Sequence, residues 1–154
     1  MQTLLYAIPV ILVAIVLARF TMLAIRSRRG TPPGLTDGRL AACPASPNCV
    51  CSESSGGNAA ISPVRYAGDP DDAWRRFRAD VQDAGGNIET DSDGYLWATF
   101  RTPLFRFVDD VEARLDAANH VIHIRSASRE GYSDFGTNRR RMENIRRGFE
   151  SRAG

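Results

Sequence analysis

The sequence predicts an α+β protein: an antiparallel sheet of four to five strands with two helices packed on one face, preceded by one N-terminal transmembrane helix. Three observations predict it. From Thr3 to Ile25 the chain is almost wholly apolar, with one charge at Arg19. Between Asp69 and Gly86 apolar residues recur at helical spacing behind strong start and stop signals. From residue 87 to 128 they alternate with a period of two, in segments joined by turns too short for crossovers. With 154 residues, the chain has room for one compact domain and little more.

As a helix, the 23 positions from Thr3 to Ile25 extend about 34 Å, enough to cross a hydrocarbon core of about 30 Å. Arg19 lies near the end of the run, where its stem can snorkel to the headgroups. No positive n-region precedes the run and no small-x-small site closes it, so residues 1–25 read as an uncleaved anchor rather than a signal peptide. Leu40-Ala41-Ala42-Cys43 has the look of a lipoprotein cleavage box, but Arg, Pro and Gly residues separate it from the apolar run. Arg26, Arg28 and Arg29 flank the C-terminal end of the run, which places the domain of a single-pass bacterial inner-membrane protein in the cytoplasm. The alternative is a signal anchor with an exported domain.

Residues 26–60 form a linker and a Cys-containing segment: Gly30 to Gly38 carries Pro32 and Pro33, and Ser52 to Ala60 is rich in Ser and Gly. The ordered α+β domain is expected over 61–154. Asp69-Pro70-Asp71-Asp72 starts a helix, because the cap oxygen meets orphan N–H groups, Pro suits the first turn and acids oppose the dipole. Ala73, Trp74, Phe77, Val81 and Ala84 stripe one face before Gly85-Gly86 ends it. Strands are expected near 87–91, 94–102, 105–116 and 120–128, with Asp93-Gly94 and Thr102-Pro103 as turns. A last helix follows Asp134 or Thr137, with Asn138, Met142, Ile145 and Phe149 on one face.

All 20 basic residues are Arg, against 18 acids, for a net charge of +2. Four Arg lie within the first 30 residues, so the remainder is mildly acidic, which excludes a nucleic-acid-binding domain. Cys43 and Cys49 bracket a Pro-Ala-Ser-Pro turn and can close a disulfide loop in an oxidising compartment or remain thiols in a reducing one. Zinc on Cys43, Cys49, Cys51 and His120 or His123 lacks any C-x-x-C pair, so no metal site and no cofactor is expected. Cys-His-Asp catalysis has the residue types but no motif to seat them.

Asp109 falls on the apolar phase of its strand, while Asp110, Glu112 and Arg114 share the other. A core-facing carboxylate needs a partner, and Arg125 or Arg129 on the next strand can pair with one of these acids. Ser126 and Ser128 continue the inward phase of Ile122 and Ile124, so the strand turns from apolar to hydroxyl-lined as a pocket lip does. The candidate ligand-binding set is Asp109, Arg125, Ser126, Ser128, Arg129, Tyr132, Asp134, Asn138 and Arg139. Arg139, Arg140 and Arg141 sit where cations oppose a helix dipole, so Asp134 and Glu143 offset them or an anion binds there.

Four stretches carry a family resemblance: Cys43-Pro44-Ala45-Ser46-Pro47-Asn48-Cys49-Val50, Phe105 to Glu112, Arg125 to Asp134, and Asn138-Arg139-Arg140-Arg141. In this order they resemble the family catalogued as domain of unknown function 1499, over roughly residues 40–150. The resemblance implies a small protein, often membrane-anchored or exported, and brings no established activity. Cys51 departs from it, since a serine is more usual there.

The expected function is a membrane-anchored, non-catalytic module that docks to a membrane protein complex, or to an anionic ligand, through the Arg125–Arg141 surface. The alternative is a hydrolase using the Asp/Arg/Ser/Tyr pocket. It would need a nucleophile beside a base, and no Gly-x-Ser-x-Gly turn supplies one.

Overall fold

The computed structural model describes residues 2–152. Helix α1 (Gln2–Ser27) leads into a two-stranded hairpin, β1 (Leu35–Thr36) and β2 (Arg39–Leu40). Then follow β3 (Cys49–Cys51), β4 (Val64–Arg65), α2 (Pro70–Asp83), β5 (Asn87–Ser92), β6 (Tyr95–Arg101), β7 (Val108–Asp116), β8 (Val121–Ser128) and α3 (Thr137–Ser151). Strands β3 to β8 form one antiparallel sheet in the order β3-β8-β7-β6-β5, with β4 also on β8. The sheet has six strands rather than four or five because β3 and β4 divide one edge: β3 pairs with Arg125–Ala127, and β4 with Val121–Ile122.

Local chemistry explains the elements that position the rest. The Asp69 carboxylate accepts from the Asp72 N–H at 2.9 Å, a cap worth about 1 kcal/mol, and Pro70 opens the first turn of α2. Asp93 and Gly94 both hold positive φ, 52° and 73°, the pair of conformations a two-residue hairpin turn needs to follow the strand twist. Cross-strand register sets two faces. Phe100, Asp109 and Ser128 form one row, Ala98, Val111 and Ser126 the next, and Leu96, Ala113 and Ile124 the third. On that face α2 and α3 bury Phe77, Val81, Met142, Ile145 and Phe149 in one continuous core.

The other face is polar and is not bare. Here the structure departs from a domain whose ordered part begins near Ile61. The Ser52 N–H donates to the Ile124 carbonyl at 2.8 Å, and the Ser52 hydroxyl accepts from the Ile124 N–H at 2.9 Å. The Gly34 N–H donates to Glu112 Oε1 at 3.0 Å, and Leu40 is buried. Glycine and proline gave residues 30–38 the composition of a linker, yet Gly34 bonds to the sheet and Leu35–Thr36 pairs with Arg39–Leu40.

Tyr6–Ser27 is long and apolar enough to cross a membrane. Its last turn engages the domain: the Ser27 hydroxyl accepts from the Val108 N–H at 3.1 Å, and the Ser27 carbonyl accepts from Arg129 Nη1 at 3.0 Å.

Candidate functional site

The sequence stretches that stood out one by one meet at one end of the sheet. Asn138, in the first turn of α3, is 1% exposed, and its amide makes four hydrogen bonds. Nδ2 donates to the Asn48 carbonyl at 2.9 Å and to Ser128 Oγ at 3.0 Å. Oδ1 accepts from Ser126 Oγ and from Arg141 Nη1, both at 2.6 Å. Arg141 then donates to Asp109 Oδ2 at 2.6 Å and lays its guanidinium over the Phe100 ring, 4.6 Å from the centroid. Asn48 Nδ2 donates to the Gly131 carbonyl at 2.6 Å. A buried polar group costs little when every bond is made, so this knot fixes β3, β7, β8 and α3 in one arrangement.

The Cys43–Cys49 disulfide closes the turn that presents Asn48 to the knot. With two of the three sulfurs joined, a zinc set of Cys43, Cys49 and Cys51 keeps a single thiol, and no metal-holding cluster occurs among the described residues. Cys51 is a buried free thiol that burial pushes up from its ordinary pKa.

The polar face carries a separate series of ion pairs. Arg129 forks onto Asp110 with bonds of 2.7 and 2.6 Å, and Trp97 Nε1 donates to the same carboxylate at 2.8 Å. Arg125 donates to Glu112 at 2.7 Å, and Tyr95 adds a bond of 2.9 Å. Burial still pushes the Glu112 carboxyl above its ordinary value, against the pull of Arg125. Arg114 and Arg39 both reach Glu53. Burial works to raise that carboxyl, but bonds from Arg114, the Leu40 N–H and Arg39 outweigh it and hold it at about 2.

Beside the knot, between α1 and the sheet end, lies a pocket of about 310 Å³. Phe20, Leu23, Phe107 and Phe135 give it apolar walls, and Asp109, Ser128 and Asp134 are among its polar groups. The polar groups are already engaged: Asp109 by Arg141, and Asp134 by the N–H groups of Gly136 and Asn138 at 3.0 and 2.6 Å. Asp134 thereby caps α3, while two of the cations that follow meet other acids, Arg139 facing Glu143 at 3.9 Å and Arg141 facing Asp109.

The nine residues singled out from the sequence fall in two groups and two separate positions. Asp109, Ser126, Ser128, Asp134 and Asn138 come together at the knot and pocket. Arg125 and Arg129 lie across the sheet on the polar face, paired with Glu112 and Asp110. Tyr132 stands 77% exposed, and Arg139 donates to the carbonyls of Asn58 and Ala60 at 2.8 Å each. Sequence reasoning missed Asn48, Arg141 as the partner of Asp109, and the contribution of Phe20 and Leu23. The signal for Asn48 was its place between Pro47 and a bridged cysteine.

Fold and knot together define a small α+β domain carried behind an apolar N-terminal helix, its end sealed by residues from four separate stretches. The chain belongs to the family described as "Protein of unknown function (DUF1499)", whose pattern matches residues 39–149. No curated protein and no solved structure matches the chain.

Proposed function

We propose that the protein is a membrane-anchored, non-catalytic binding module that takes a membrane-resident amphiphile into the pocket beside α1. One observation carries this reading: Phe20 and Leu23, from the helix able to cross a membrane, share the pocket with Asp109, Ser128 and Asp134 of the domain. A ligand filling it touches apolar side chains and polar groups at once. Because the acids there already hold Arg or N–H partners, a neutral, hydroxyl-bearing head fits better than an anion.

At this pocket, binding is favoured over hydrolysis by the state of Ser126 and Ser128. The Ser126 hydroxyl donates to Asn138, and the Ser128 hydroxyl accepts from it. His123 has odd parity on β8 and faces the opposite side, where it meets Ser52 Oγ at 3.3 Å. The disulfide favours an exported domain in the bacterial inner membrane, since cytosolic thiols are kept reduced. The Arg flank points the other way, but Arg26 is partly offset by Glu130 at 3.3 Å.

Docking to a membrane protein complex is the second reading, and it narrows to Arg139 and Arg140. Arg140 donates to the Phe135 carbonyl and Thr137 Oγ1, so its charge is solvated rather than paired. To test the first reading, the protein is extracted gently from its membranes and its bound small molecules are identified by mass spectrometry, beside Ser133→Trp, which fills the pocket from an exposed position. An amphiphile present on the parent protein and lost from the variant is expected. Equal amounts on both, or none on the parent, would reject the pocket as its site.

A further inference from the structure

The sheet end that carries the pocket also carries the most exposed apolar side chains of the domain. Leu104 is 83% exposed and Phe135 is 87% exposed. They lie on two loops, 102–107 and 130–136, which leave the same end of the sheet because β7 begins where β8 ends, with Asp109 opposite Ser128. Exposed aromatic and aliphatic groups clustered at one end of a small domain mark an interaction surface.

The contacts of α1 identify what covers that surface. Phe105, from the first loop, stacks on Phe20 with ring centroids 5.3 Å apart, and Phe107 meets the same ring edge-on at 6.4 Å. Phe20 lies seven residues before Ser27, the end of the stretch apolar enough to cross a membrane, which is about 10 Å along the helix axis. The loop therefore reaches alongside the helix to a level inside that stretch. Arg106, exposed between Phe105 and Phe107, supplies a cation at the same edge, as do Arg28 and Arg29 beyond the helix. Apolar tips flanked by arginines match acyl chains below anionic headgroups.

We propose that the loops 102–107 and 130–136 insert into the bilayer interface around α1, with Leu104 and Phe135 at the acyl boundary and Arg106 among the headgroups. The domain then rests on the membrane by its sheet end, and the pocket mouth lies at headgroup depth. The opposite end of the sheet, at the Asp93-Gly94 turn, points away: β6 alone separates it from the loops by about 23 Å over seven residues.

This proposal rests on α1 spanning the membrane, and the test separates the two. The single variants Leu104→Cys, Phe135→Cys, Asp93→Cys and Val13→Cys are each labelled with an environment-sensitive fluorophore in the full-length protein. Cys43 and Cys49 are joined and Cys51 is buried, so the introduced thiol is the one that reacts. The variants are placed in nanodiscs of phosphatidylcholine and phosphatidylglycerol and quenched either by lipids with a shallow or deep nitroxide or by aqueous iodide. Labels at 104 and 135 are expected to lose emission to the shallow nitroxide and to resist iodide, while the label at 93 loses emission to iodide alone. If 104 and 135 respond to iodide as 93 does, while 13 is quenched by the deep nitroxide, the insertion is overturned and the anchor stands. The patch would then be free for a protein partner. If 13 escapes the nitroxides as well, the spanning helix falls and takes this proposal with it.

Discussion

Asp109 accepts from Arg141 at 2.6 Å on the same face of the sheet that carries Val111 and Ala113. A carboxylate in that row is buried with the core, and its partner comes from the far helix rather than from a neighbouring strand. The pair holds α3 against the sheet end by charge where the apolar core stops. Buried pairs of this kind add little net stability over an apolar substitute, yet they are costly to break.

Asp109→Ala is therefore expected to destabilise the fold by about 3–5 kcal/mol, since it leaves the Arg141 guanidinium, 11% exposed, without its anion. Asp109→Leu combined with Arg141→Met should recover most of that loss. Urea unfolding of both variants checks this, and a cost under about 1 kcal/mol for Asp109→Ala would show the pair to be solvated.

Phe77 is fully buried against Trp74 and Phe149. Phe77→Ala should cost about 3–5 kcal/mol by the same measurement. A near-silent change would remove α2 from the core.

Glu53 gives a pH dependence of defined sign. Its carboxyl is held at about 2 in the fold, against an ordinary 4.5, so its stabilising contribution is complete above 4.5 and is lost as pH falls toward 2. The stability gap between the parent and Glu53→Gln, on the order of 3 kcal/mol near neutrality, should close over that window. A gap that does not change with pH would mean the Arg114 and Arg39 bonds do not stabilise the charged form.

The cysteines yield a count and an address. Denatured without reductant, the protein should expose one maleimide-reactive thiol, Cys51, and three after reduction. Because the bridged loop is short, Cys43→Ser with Cys49→Ser should cost only about 2 kcal/mol. An alkaline phosphatase fused to the C-terminus should be active. An inactive fusion, with three reactive thiols, would place the domain in the cytoplasm.

Much of the domain was legible because its elements are long and periodic. The Asp69 cap, the Asp93-Gly94 turn and the alternation in β6 to β8 each had a local physical cause written in adjacent residues. Strands β3 and β4, three and two residues long, offer no window in which a period shows. The segment 30–38 hid its role because its Gly34 bond uses backbone, to which composition is blind. At the site, strand parity is enough to part Ser126 and Ser128 from Arg125, although the expected ligand set joined them. The match of Arg141 to Asp109 depends on how α3 is rotated onto the sheet, which spacing along the chain does not encode.

Ser27 ends α1 with both its hydroxyl and its carbonyl committed to the domain, and Gly30 lies so close to the Arg129 stem that a Cβ would stand 3.1 Å from it. A free dozen residues after the helix would let a domain range some 40 Å from its point of attachment. Here that length is laid flat, so reach is close to nil. The domain is thereby held at one fixed distance and one fixed orientation relative to the end of α1.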